Sequence, residues 1–160
     1  MQLLGNFRAL LVVAAWYDNP TAPRKMRTHL EFVSTAFPPE PGEDERVNPG
    51  LHGKRLAHFL SEELPRHGFA VSRVGPEDWG WRIDLENPVF PLWFGCGNYQ
   101  EYENGFLCFI EPSRPFVRRL LKRIPTTDTV ERLAAALQMI LEQSGKAQQM
   151  RWWSEGEMPR

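Results

Sequence analysis

The chain has 160 residues, 42% of them hydrophobic, with 19 basic and 20 acidic side chains and a formal charge of −1. That length fits one domain with a sizeable core, and the near-neutral balance excludes a global basic field of the kind that gathers nucleic acid. No apolar run approaches the ~18 residues that cross a bilayer, and two cysteines, Cys96 and Cys108, are too few for a disulfide framework and suit a reducing cytosol.

The first 25 residues stand apart. Ala9 to Trp16 is a short apolar run after Arg8, broken by Asn19-Pro20-Thr21-Ala22-Pro23. Its flanking charge is thin for a secretory leader, so it reads as an added element or a start-site artefact, since Met26 directly precedes the first convincing strand. That strand is Thr28 to Phe37, which alternates and is rich in β-branched and aromatic residues. Pro38 and Pro39 end it, and Glu40 to Arg46 reads as a solvated acidic linker.

Asn48-Pro49 predicts a helix start, with Asn as cap and Pro at the first helical position. Leu56, Phe59, Leu60 and Leu64 repeat at helical spacing, and Gly68 closes the helix. His58 and Glu62 are four apart on it, but two ligands do not make a metal site.

Phe69 to Val74, Trp79 to Glu86, Val89 to Cys96 and Phe106 to Glu111 read as four strands. Gly75-Pro76 and Asn87-Pro88 connect the first three too briefly for parallel crossovers, which predicts an antiparallel meander. Asn104-Gly105 is a strong hairpin signal, and that register pairs Glu101 with Cys108 and keeps the two thiols apart. A wider loop centred on Tyr102 would instead set Cys96 opposite Cys108. Pro115 to Ile124 reads as a helix with Arg118, Arg119, Lys122 and Arg123 on its outer face. Asp128, with Glu131 three residues on, predicts a capped second main helix whose stripe is Val130, Leu133, Leu137, Ile140 and Leu141. Met150 to Trp153 reads as a last short strand.

Candidate chemistry is sparse. Cys96 lies between two glycines, but a thiol nucleophile needs a base, and no histidine is placed for it by a local pattern. Asp84 and Glu86 share a strand face at a spacing that could split two pKa values or hold a cation, without a third oxygen ligand in sequence. The basic cluster from Arg114 to Arg123 lacks the stacking aromatics or reading element of a nucleic-acid surface. No phosphate-binding glycine loop, zinc-protease helix, nucleophile elbow or Cys-x-x-Cys is present. No cofactor and no metal are expected.

The most informative run is Glu77-Asp78-Trp79-Gly80-Trp81 with Arg82-Ile83-Asp84 after it. Two tryptophans two residues apart on one strand share a face, and tryptophan is enriched where proteins meet. Together with Gly53-x-x-Leu56-Ala57, Gly68-Phe69 and Gly95-Cys96-Gly97-Asn98-Tyr99, the run resembles small bacterial domains found among immunity proteins of toxin systems, over Leu51 to Trp153. The resemblance implies a cytosolic protein that neutralises a cognate toxin by binding it, without catalysis, nucleic acid or membrane. An acidic, tryptophan-bearing sheet would complement a basic toxin site, which makes Asp78, Trp79, Trp81, Asp84, Glu101 and Glu103 the candidate partner-binding residues. Trp79 and Trp81 as core beneath the helices is the competing reading. A small enzyme using Cys96 or a carboxylate pair, and a regulatory or scaffold domain, are the competing functions. The expected fold is an α+β two-layer sandwich: an antiparallel sheet of four to five strands with two main helices on one face, spanning residues 26–155 between an extension (1–25) and a tail (156–160).

Overall fold

A computed structural model describes residues 25–157; the apolar run of Ala9 to Trp16 and the last residues of the expected tail lie outside them. The fold is α+β. Among the described residues its main sheet has six strands, one more than the upper expectation, in the order β2-β3-β4-β5-β1-β8. These are β1 (His29–Val33), β2 (Val71–Glu77), β3 (Gly80–Leu85), β4 (Leu92–Asn98), β5 (Gly105–Glu111) and β8 (Gln148–Trp153). Every neighbouring pair is antiparallel, so β2 to β5 form the meander that their short connections require. The first strand lies between the last two, joining β5 on one side and β8 on the other.

Alternation sorts each central strand into a buried and a partly open set. Leu30 and Phe32 of β1, Ile83 and Leu85 of β3, Phe94 and Cys96 of β4, and Phe106, Cys108 and Ile110 of β5 are buried. They meet α1 (Lys54–Glu63), whose Leu56, Ala57 and Leu60 are buried, and α2 (Thr127–Ser144), whose predicted stripe is buried throughout. Each leucine taken fully out of water there contributes about 1.5–3 kcal/mol. Gly68, at φ 84°, ends the short 3-10 turn Leu64–His67 that follows α1, as a residue without a Cβ can.

Gly75-Pro76 lies inside β2, paired with Arg82 and Trp81, instead of connecting two strands. Four further local expectations fail, each for a visible reason. The helix does not start at Asn48-Pro49. It starts at Gly53, because the first free N–H groups of α1 are held by a side chain from another segment, described below. Asp128 lies in the first turn of α2 rather than capping it, and Glu131 is occupied by the backbone N–H and guanidinium of Arg27, at 2.6 and 2.9 Å.

The Asn104-Gly105 hairpin register is replaced by the wider loop, and Cys96 faces Cys108 across the strands. Gly105 has been drawn into β5. Its carbonyl accepts the Tyr99 N–H at 2.7 Å, and its missing Cβ makes room for the Tyr102 ring, which packs edge-on against Tyr99. Both cysteines are buried free thiols.

Pro115 to Ile124 is a hairpin, not a helix. β6 (Phe116–Arg119) pairs with β7 (Lys122–Pro125) around a two-residue turn, and the base is closed by a Thr126 N–H bond to the Pro115 carbonyl. Its apolar residues fit a helical stripe, but β-branched Val117 and Ile124 also match as a cross-strand pair, and only these two pack against the core.

Candidate functional site

The two tryptophans of the sequence run part company at Gly80. This residue takes φ 146°, and a Cβ on it would sit 2.6 Å from the Cys96 carbonyl oxygen, so only glycine fits. The reversal puts Trp81 at 2% exposure and Trp79, in the turn before β3, at 38%. Trp81 is therefore not part of a surface for a partner. Its indole lies in the core and donates from Nε1 to Glu43 Oε1 at 2.9 Å.

Glu43 corrects the reading of Glu40 to Arg46 as solvated linker. It sits in a 3-10 turn, Glu43–Glu45, and is 3% exposed. Its carboxylate also accepts the backbone N–H groups of Gly53 and Lys54, both at 2.7 Å, and that of Glu40 at 3.0 Å. Burial pushes its pKa up, but the three backbone N–H bonds and the Trp81 indole outweigh it, and the net shift is downward. One carboxylate thus caps α1, where the helix dipole favours negative charge, and anchors Trp81.

Trp79 lies on the opposite face. Its ring meets Phe109 of β5 edge-on at 4.9 Å and stacks near Trp93 of β4 at 6.1 Å. Gly95 makes the bed: a Cβ there would come within 2.5 Å of both Trp79 and Phe109. Phe109 stacks in turn on His29 of β1, whose pKa is lowered by burial against the opposing pull of Glu155 and Glu111. The Arg82 guanidinium lies 4.2 Å over Trp93 and pairs with Asp84 at 2.7 Å. At the far edge Trp153 donates to Glu31 and carries Arg151 over its ring at 3.6 Å. The result is an aromatic band from the β2–β3 turn across β4, β5 and β1.

Of the sequence-predicted residues, Asp78 and Trp79 occupy the β2–β3 turn, and Glu101 and Glu103 the β4–β5 loop. Strand register puts both at one end of the sheet. The carboxylates of Asp78, Glu101 and Glu103 are exposed, and none pairs with a cation among the described residues. Asp84 stands further along β3, opposite Trp93, and is tied to Arg82. Trp93, Phe109, His29 and Arg82 were missed, although the alternation of Trp93 and Gly95 against buried Phe94 and Cys96 carried the signal.

A cleft of about 490 Å³ beside the β4–β5 loop is lined by His52, Asn98, Tyr99, Tyr102 and Glu103. Asn98 is spent on backbone, accepting from His52 N–H at 2.8 Å and donating to Gly50. Burial lowers the pKa of His52. Cys96 is fully buried, and burial, with Cys108 and Glu43 adding to it, pushes its thiol well above the ordinary value. A thiol held in that state packs as a small hydrophobe. No cluster of three or more metal-ligating side chains occurs among the described residues, and no helix among them is long and apolar enough to cross a membrane.

The site is a partly exposed aromatic cluster on an α+β domain, with exposed carboxylates at one end of the sheet. Compared with protein-family models, curated proteins and solved structures, the chain matches none.

Proposed function

We propose that the chain is a non-catalytic binding protein, an immunity protein that neutralises a cognate bacterial toxin in the cytosol. In this reading both helices cover one side of the sheet as a two-layer arrangement, and the other side is the binding face. The observation that carries it is Trp79, exposed on a bed of Trp93 and Phe109, with the exposed carboxylates of Asp78, Glu101 and Glu103 at the same end of the sheet. A half-exposed indole on a rigid aromatic support is pre-organised as an anchor, and the carboxylates would steer a basic partner toward it. The resemblance of the Glu77 to Trp81 run to toxin-immunity domains supports the same reading. The enzyme alternative loses its best nucleophile to the burial of Cys96.

The test is surface plasmon resonance, which reads affinity and association rate, with a toxin encoded beside this chain's gene. Trp79→Ala should keep the fold and lose about 2 kcal/mol or more of binding. Asp78→Lys should slow association and reduce its salt dependence. Wild-type affinity in both variants would remove the face from the interface, and no complex with wild-type protein would remove the immunity reading.

A further inference from the structure

The β6–β7 hairpin stands outside the main sheet and carries features the fold does not need. Its apex is Leu120-Leu121, at 96% and 103% exposure. Leu120 takes φ 56° at the first position of a two-residue turn, where glycine or asparagine is favoured. The register sets Arg118 opposite Arg123 and Arg119 opposite Lys122, two like-charge cross-strand pairs that weaken a ribbon. None of these four cations meets a carboxylate among the described residues. Alternation places Arg119 on the face of Val117 and Arg118 on that of Phe116, so positive charge collars the apex on both sides. Local rules broken together in so short a segment point to a use outside folding.

We propose that this hairpin docks on an anionic phospholipid surface. Leu120 and Leu121 enter the boundary between headgroups and acyl chains, and Arg118, Arg119, Lys122 and Arg123 meet the lipid phosphates. Three observations favour a bilayer over other anionic partners. The apex leucines are fully exposed, and their collar of charge is two-sided, as a flat surface around an inserted tip requires. Leucine is under-represented at protein interface hot spots, whereas exposed leucine ringed by arginine and lysine is the composition of interfacial membrane binders. Stacking on nucleobases would need an open ring in the basic surface, whereas the Phe116 ring is covered by Arg123 at 3.7 Å. Val89, 48% exposed, extends the apolar surface across a groove of about 510 Å³ that it shares with Val117, Arg118 and Arg119. Two leucines and four cations give reversible attachment, not permanent insertion. The inference is independent of any toxin.

The experiment is flotation of the full chain with phosphatidylcholine vesicles, with and without phosphatidylglycerol. Binding only to the anionic vesicles, with release as salt rises, is the expected result. Leu120→Asn with Leu121→Gly installs a favoured hairpin turn, so the fold survives and circular dichroism verifies it. That variant should lose tenfold or more in partitioning. Arg119→Gln and Lys122→Gln should each lose about fivefold. Equal binding to neutral vesicles, or wild-type partitioning by the folded apex variant, would overturn the proposal. So would displacement by duplex DNA that the apex variant no longer binds, which would assign the arm to nucleic acid.

Discussion

Both faces of the six-stranded sheet are rich in aromatic side chains, but they hold them differently. On the buried face Phe32, Phe94, Phe106 and Trp81 are enclosed by the helices, and the one polar atom of that group, the Trp81 indole nitrogen, is satisfied by Glu43. On the open face Trp79, Trp93, Phe109 and His29 support one another through two stacked and two edge-on contacts and keep part of each ring in water. Aromatic content alone does not separate a core from a binding surface. What separates them here is a single glycine, Gly80, that turns Trp79 away from Trp81.

The comparison can be broken most forcefully at Trp81. Trp81→Ala should cost about 3–5 kcal/mol of stability, as core truncations do, whereas Trp79→Ala should cost about 1 kcal/mol or less. Urea midpoints of the two variants check this, and equal losses would abolish the distinction between the faces.

Glu43→Gln should come next, at about 3 kcal/mol near neutral pH, because it weakens bonds from three backbone donors and the indole at once. Its pH dependence has a definite sign. Glu43 has a folded pKa below its unfolded value, so its contribution is fully present above the unfolded pKa and is lost as pH falls through the folded one. The stability gap between wild type and Glu43→Gln should therefore narrow as the solution is acidified from neutral toward pH values below the ordinary carboxylate range. A gap that widens on acidification would show that the carboxylate is not the anchor.

Gly80→Ala should cost about 1–3 kcal/mol, from a positive φ and a close approach to the Cys96 carbonyl. Gly95→Ala should cost less, since the atoms in its way are the far ends of the Trp79 and Phe109 rings. It should nevertheless lift Trp79 from its bed, read as a red-shifted tryptophan emission with secondary structure unchanged. The smallest expected effect is at Asp84→Asn. Its ion pair with Arg82 is partly exposed, so stability should change by less than about 1 kcal/mol.

Much of the fold was legible because periodicity and burial agree in long elements. The α2 stripe, the α1 leucines and the antiparallel meander follow from spacing that has one physical solution. The misreadings cluster where two periods fit the same residues, or where a distant group decides. Pro115 to Ile124 has apolar residues that satisfy both a helix and a hairpin, and the choice rests on which of them find a core. The Asn104-Gly105 turn loses to the packing of Tyr99 and Tyr102, which local turn chemistry does not contain. Glu43 stood in an acidic run and gave no local sign that it would be buried, because its partners lie on α1 and β3. The acidic residues of the candidate site were visible in the sequence; the bed beneath Trp79 was not, since it is assembled from two strands, β4 and β5.

The position of β1 bears on how the chain reaches this structure at all. As synthesis proceeds, His29–Val33 emerges first among the described strands, yet its neighbours are β5 and β8. It must wait for residues near 105 before gaining one partner, and near 148 before gaining the second. Until then an apolar strand with both edges open is available to other nascent chains. Such distant pairing predicts slow closure of the sheet. A polypeptide stopped after Gly145 would keep the residues of both helices and the meander while exposing the outer edge of β1. Its fate should be aggregation at the ribosome exit or capture by a chaperone, so the last strand governs yield in the cell as much as shape.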